Sequence, residues 1–352
     1  MIKKLISICV ILSLCVLRVS ALQADSVSAE CAVVLNVHTG EVLFEKNATK
    51  RHSMASTTKI MTALLAIESG KLQSEIVVSD DMLKVEGTSM GLTAGDSVSL
   101  DELVYGMMLP SGNDAANVTA VFLGGSTEQF AQLMNKRAKD IGMSDTCFVT
   151  PSGLDSDSHY STAYDMALLG AVAVRNPKFV AVCSSRSAKL TYGNPPNIRT
   201  LYNHNKLLDK YDYALGIKTG FTKKSGRCLV SYAKKENSEL VAVTLNAPDD
   251  WNDHIKMLDN AFSLLKSSEI PSVVPDKIPV VGGNSEFARI SLKSFAFSYL
   301  SVQDVTYKVY IDKFVYAPVE KGKVVGYCEY YIGDDLKATE PILTEESITQ
   351  KV

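Results

Sequence analysis

The chain has 352 residues, enough for one large domain and a smaller one, and 46% hydrophobic residues supply a sizeable core. A net charge of −3 and a pI near 6 exclude the strongly basic surface that nucleic-acid binding would need, so no nucleic-acid partner is expected. Seven cysteines include no C-x-x-C pair and no histidine at ligand spacing, so neither a metal site nor a cofactor bound through one is expected.

Lys3 and Lys4 precede an apolar run from Leu5 to Leu17, which is shorter than the ~20 residues of a spanning helix. Residues 1–24 therefore read as a secretory signal, with Val19-Ser20-Ala21 and Leu22-Gln23-Ala24 as rival cleavage sites. The bulky Leu14 before Cys15 argues against a lipidated cysteine. In an exported chain, the five cysteines outside the signal fit buried free thiols better than a disulfide framework.

The following elements come in chain order. Cys31 to Asn47 alternates on either side of His38-Thr39-Gly40 and reads as a hairpin. Ile60, Met61, Leu64, Leu65 and Ile67 recur at helical spacing in a helix from Ser56 to about Ser69, which Gly70 ends. Ser99-Leu100-Asp101-Glu102 is a capping box for a helix through Met107. Asp114–Phe122 and Glu128–Ile141 are further helices. Strands are expected at Leu215–Thr219, Cys228–Ala233 and Leu240–Leu245, and an amphipathic helix at Asp250–Leu265. The pattern predicts an α+β architecture, one antiparallel sheet covered by helices. Pro271, Pro275 and Pro279 mark a linker. Strands follow at Val305–Ile311, Lys323–Ile332 and Leu336–Leu343, with Gly333-Asp334-Asp335 as a turn. No apolar or amphipathic tail follows them. The division expected is a signal at 1–24, a catalytic domain at 25–267 and a small all-β domain at 268–352.

Three short motifs carry chemistry: Ser56-Thr57-Thr58-Lys59, Ser111-Gly112-Asn113 and Lys218-Thr219-Gly220. A serine hydroxyl needs a nearby base to act as a nucleophile. Residues i and i+3 share a helix face, so Lys59 reaches Ser56. Ser56 falls at a helix N-terminus, where N–H groups favour developing negative charge. A lysine is a base only when its pKa is lowered, and burial with a second cation, here Lys218, acts in that direction. Ser111 can relay a proton between Lys59 and a leaving amine. Asn113 can bind a substrate amide and hold Lys59. Lys218 and Thr219 offer a charge and a hydroxyl to a substrate carboxylate, and Gly220 admits close approach. Each motif alone has a plainer reading: an N-cap with a surface lysine, a polar turn, an ordinary strand end. His159 reads as a loop residue among helix-capping side chains, and His254 as a solvated residue on a helix face. A Ser-His-Asp triad would lack a Gly-x-Ser-x-Gly elbow.

In this order the motifs form the S-x-x-K, S-x-N, K-T-G set of penicillin-binding proteins and serine β-lactamases. The longer segments Ser53–Leu65, Ser111–Ala116, Gly153-Leu154 with His159–Ala163 and Asp165–Ala167, Asn203 with Asn205–Leu208, and Gly216–Thr222 resemble the D-alanyl-D-alanine carboxypeptidases, the low-molecular-mass penicillin-binding proteins. The likeness runs from about Ala29 to Leu265. The region after it resembles, more weakly, that family's C-terminal β-sandwich. The resemblance implies a β-lactamase/transpeptidase-like fold. It implies Ser56 as acylated nucleophile, Lys59 as base, Ser111 and Asn113 as second element, and Lys218, Thr219 and Gly220 as third. The backbone N–H groups of Ser56 and Phe221 would form the oxyanion hole. It further implies removal of the terminal D-alanine from peptidoglycan stem peptides, β-lactams as covalent inhibitors, and an exported protein that is soluble or loosely wall-associated. Two features depart from the family. Many members carry an amphipathic C-terminal anchor, and some have a basic residue or histidine where this chain has Phe221. The rival readings are a β-lactamase, for which no Glu-x-x-Leu-Asn element appears, a DD-endopeptidase or transpeptidase, and a catalytically silent wall-binding sensor, against which the intact motifs argue.

Overall fold

The computed structural model describes residues 22–269, 274–292, 296–299 and 305–351. Most of the expected signal, including the Val19-Ser20-Ala21 cleavage site, lies outside the described residues, as does Pro271.

The hairpin forms as expected, from Cys31–Asn36 (β1) and Val42–Lys46 (β2), with Gly40 at φ +72° in its turn. Ala214–Thr222 (β3), Gly226–Lys235 (β4) and Ser238–Leu245 (β5) join it in one antiparallel sheet of order β2-β1-β5-β4-β3. Sequence-distant ends of this region thus meet, Cys31 pairing with Leu245 and Asn36 with Leu240. β3, which carries the third motif, is an edge strand.

Both faces of the sheet are covered, which is why β1 is buried at every position rather than alternating. Val33 and Leu35 face a core shared with helices Lys59–Glu68 (α1), Leu100–Met108 (α2), Asn113–Gly124 (α3), Thr127–Ile141 (α4), Ala163–Ala173 (α5) and Pro177–Cys183 (α6). Ala32 and Val34 face a second core built with Leu207 of the short helix Leu207–Lys210 (α7) and with Met257, Leu258 and Ala261 of Asp250–Leu264 (α8). The capping box is present. Ser99 accepts from the Glu102 N–H, and the Glu102 carboxylate accepts from the Ser99 N–H.

Several expectations need correction. Ser56 is not on an α-helix. It sits in a 3-10 turn, Ala55–Thr58, and α1 starts at Lys59. The cause is local: the Thr57 and Thr58 hydroxyls donate back to the Met54 and Ala55 carbonyls and tighten the chain. His254 is not solvated. It is fully buried on α8, between the Ser231 and Thr244 hydroxyls, and burial lowers its pKa to about 3. His159 lies in a loop before the helix that Thr162 caps, as its sequence context suggests, but it too is buried. α5, α6 and the hairpin Ser187–Tyr192 with Asn197–Tyr202 have no counterpart among the elements that periodicity predicts. α5 is apolar on nearly all sides, so it has no amphipathic signal, yet Thr162 caps it. The described cysteines, Cys31, Cys147, Cys183, Cys228 and Cys328, are all free thiols.

Beyond α8, Lys266–Glu269 pairs with Ala296–Tyr299. Pro279 belongs to no linker. It lies in the strand Lys277–Val281, opposite Phe287. The strands expected near the C-terminus form at Val305–Ile311, Val324–Ile332 and Asp335–Thr344, within a six-stranded sheet over its own core of Ile278, Ala288, Ile290, Val325 and Ile342.

Candidate active site

The three motifs converge although 162 residues separate Ser56 from Lys218 (218 − 56). Side chains at i and i+3 eclipse in a 3-10 turn, so the turn aligns Ser56 with Lys59 more closely than an α-helix would. Lys59 Nζ lies 2.9 Å from Ser56 Oγ. It is also 2.7 Å from Asn113 Oδ1 and 2.8 Å from the Ser152 carbonyl. The Asn113 amide is oriented by its Nδ2, which donates to the Glu86 carbonyl at 2.6 Å.

The three oxygens around Lys59 Nζ accommodate either protonation state: an ammonium donates to all three, a neutral amine to two. A neutral lysine amine has two N–H groups and one lone pair. Asn113 Oδ1 and the Ser152 carbonyl can only accept, so they take the two N–H groups. In that form the lone pair is left facing the Ser56 hydroxyl. The electrostatics favour the neutral form: burial, then the positive charge of Lys218, holds the Lys59 pKa well below its ordinary value, against a weaker opposing pull from Asp114. Asp114 is itself buried. Its carboxylate accepts from the backbone N–H groups of Met90, Gly91 and Leu92, which fixes the loop beside the second motif.

Ser111 holds a positive φ of +66°, uncommon for a residue with a Cβ. The strain is held by the Thr88 hydroxyl on its carbonyl and by the Asn113 N–H on the Thr88 carbonyl. Lys218 is buried, donates to the Thr219 carbonyl at 3.0 Å, and is lowered by burial to about 7. Gly220 lets β3 pass against the Ala55–Thr58 turn. A Cβ there would stand 3.0 Å from the Ser56 nitrogen and 3.1 Å from that of Thr57. The Phe221 side chain is 66% exposed, so its ring faces solvent, not the core.

A cleft of about 630 Å³ opens over this group. Ser56, Ser111, Asn113, Thr219, Gly220 and Phe221 line it, whereas Lys59 and Lys218 lie beneath its floor. Every expected site residue is thus at one place. The sequence does not reveal the Ser152 carbonyl, which acts through its backbone and has no residue-type signature. It also does not reveal His204, Arg227, Asp250 and Trp251, which line the cleft as well. Arg227 is paired with Asp250 at 2.6 Å and lies over the Trp251 ring. Among the described residues, Asp250 is the one carboxylate lining the cleft.

Comparison with known proteins agrees with this geometry. A family model described as D-alanyl-D-alanine carboxypeptidase matches residues 18–249, and one described as the C-terminal domain of penicillin-binding protein 5 matches residues 272–350. The chain is 31% identical to the D-alanyl-D-alanine carboxypeptidase DacF of Bacillus subtilis, over 91% of this chain and 86% of that one. It is 30% identical to DacC of Escherichia coli, over 93% and 86%. The crystal structure of DacD from Francisella tularensis superposes with a TM-score of 0.66 at 26% identity, over 96% of each chain.

Proposed function

The chain belongs to the D-alanyl-D-alanine carboxypeptidase family, and from that premise we propose a serine mechanism in which Ser56 is acylated and Lys59 is its base. The observation that carries the reading is the buried Lys59 Nζ, 2.9 Å from Ser56 Oγ and held there by two carbonyl acceptors, with its pKa lowered by burial and by Lys218. Lys59 takes the hydroxyl proton as Oγ attacks the carbonyl of the penultimate D-alanine. Ser111 returns a proton to the departing D-alanine amine. Asn113 holds Lys59 and offers its amide to the substrate, and Lys218 with Thr219 receives the terminal carboxylate. Gly220 lets the peptide lie along the exposed edge of β3, and the N–H groups of Ser56 and Phe221 receive the oxyanion. Water then releases the shortened stem peptide. β-Lactams acylate the same serine.

We also assign residues 1–24 to a signal that directs export, residues 25–267 to the catalytic domain and residues 268–352 to a C-terminal β-sandwich. Two separate family matches support the last two. Among the described residues no single helix is long and apolar enough to cross a membrane.

The test uses a peptide ending in D-alanyl-D-alanine and a fluorescent penicillin. The wild type is expected to release D-alanine and to carry a penicilloyl group on Ser56 by mass spectrometry. Ser56→Ala is expected to do neither. The peptidyl ester should turn over while the penicilloyl ester persists. The tethered penicillin leaving group excludes water, and the lining carboxylate, Asp250, is engaged by Arg227. Labelling of Ser56→Ala at the wild-type rate, or rapid loss of penicillin without D-alanine release, would overturn the reading.

A further inference from the structure

We infer that His159 and Thr58 are positioning residues that lock the Ala55–Ser56 peptide plane, and so aim the Ser56 N–H that receives the oxyanion. The inference rests on the reading of Ser56 as nucleophile.

The relay is buried and its direction is determined. The Val149 N–H donates to His159 Nδ1 at 2.9 Å, so that nitrogen carries no proton. The hydrogen of a neutral His159 is therefore on Nε2, which lies 2.8 Å from Thr58 Oγ1. Thr58 has one hydroxyl hydrogen, and it goes to the Ala55 carbonyl at 2.8 Å. Only one ordering satisfies all three links: His159 Nε2–H donates to the Thr58 hydroxyl, and that hydroxyl donates to Ala55. Protonating Nδ1 would oppose it to the Val149 N–H. Burial already lowers His159 to about 4, although Asp155 pulls the other way.

The carbonyl that receives this chain needs holding. Ala55 has φ +47°, a left-handed conformation that costs a residue with a Cβ roughly 1–2 kcal/mol. In a trans peptide the Ala55 C=O and the Ser56 N–H lie in one rigid plane and point in opposite directions within it, so whatever fixes the carbonyl fixes the N–H. Rotation of that plane, through Ala55 ψ and Ser56 φ, would turn the N–H away from the cleft. Two features oppose it. Thr58 bonds the carbonyl, and Gly153 packs flat against it, where a Cβ would come within 2.0 Å of the oxygen. His159 also grips Val149 at the start of the loop whose Ser152 carbonyl orients Lys59. One imidazole therefore couples the oxyanion donor to the base.

The test is Thr58→Val, which keeps the shape and removes the hydroxyl, with Thr58→Ser as the variant that restores it. Two quantities are read with a penicillin: the acylation rate constant, resolved from the non-covalent binding step, and the infrared stretch of the ester carbonyl in the acyl-enzyme. Thr58→Val is expected to acylate about tenfold more slowly, a part of the ~100- to 1,000-fold cost of losing an oxyanion donor. Its non-covalent binding should be unchanged and its carbonyl stretch raised, because the ester oxygen accepts weaker hydrogen bonds. Thr58→Ser is expected to restore both. Should Thr58→Val not fold, His159→Asn serves instead, keeping an acceptor for the Val149 N–H while removing the donor to Thr58. A wild-type carbonyl frequency in the folded variant overturns the relay, whatever happens to thermal stability. A wild-type adduct that is missing, or on another residue, overturns the Ser56 assignment and the relay with it.

Discussion

The five-stranded and six-stranded sheets of this molecule are built on opposite electrostatic terms. Up to Leu265 the interior holds Lys59, Lys218, Asp114, Asp165, Asp253, His159 and His254, all buried. In the described part of the C-terminal sheet, Thr344 is the only buried hydrophilic residue besides Tyr330 and Cys328, and aromatic rings such as Tyr307, Tyr310, Tyr316 and Tyr327 are turned outward. An uncompensated buried charge costs several kcal/mol, and such costs persist where they are used. The region that holds the three motifs buries two lysines, and burial lowers the pKa of both. The C-terminal part carries no such burden.

The largest effect that would break this contrast is at Lys59. Lys59→Ala is expected to slow acylation by roughly 100- to 10,000-fold, the range for removal of a positioned general base. In the wild type the acylation rate should fall as pH falls through the lowered Lys59 pKa, because protonation removes the lone pair. That acid limb should lie well below the ordinary lysine value of 10.5. Stopped-flow acylation across pH reads both. A limb at the ordinary value would mean that Lys59 is not desolvated, and the contrast would fail.

The next effect sharpens the contrast from the other side. Ile342 is fully buried in the C-terminal core. Ile342→Ala is expected to cost about 2–5 kcal/mol of stability in that region, the usual range for a large-to-small core change. Acylation of Ser56 should be unchanged while the chain is folded. Denaturant melts read beside penicillin labelling check this. A matching loss of acylation in the folded variant would show that the catalytic region depends on the C-terminal core.

The same contrast governs what is legible in the sequence. Alternation in Val324–Ile332 and Asp335–Thr344 reports a strand with one buried face, and those strands can be read nearly to the residue. The motif residues are legible because their types, order and spacing carry the chemistry. What escapes the sequence has no periodic or compositional trace. α5 is buried nearly all round, the Ser152 carbonyl belongs to the backbone, and His159 and His254 become interior residues only through partners about 100 and 10 to 23 residues away. The 3-10 turn at Ala55–Thr58 depends on two threonine hydroxyls choosing their own backbone over solvent. Periodicity does not see that choice.

The smallest effect concerns Lys218, whose burial should show as a pH-dependent loss of stability. Its pKa is lowered from 10.5 to about 7 by burial. Below about pH 7 the folded and unfolded chains both hold the proton, and the full penalty of a buried cation is present. Between about 7 and 10.5 the unfolded chain binds more protons than the folded one, so stability rises with pH. Above 10.5 both states are neutral and the penalty is gone. At about 1.4 kcal/mol per pKa unit, the penalty is at most on the order of 4–5 kcal/mol. Lys218→Met fills a similar volume without the charge. It is expected to lose carboxylate recognition and acylate poorly, yet to melt several degrees above the wild type at pH 6. The gain should shrink as pH rises from 7 towards 10.5, because the wild type sheds its penalty there and methionine has none to shed. Thermal melts of both proteins across that range test the sign directly. A gain independent of pH would locate the effect in packing, and a lower melting point at pH 6 would show that Lys218 is compensated in the interior by more than the Thr219 carbonyl.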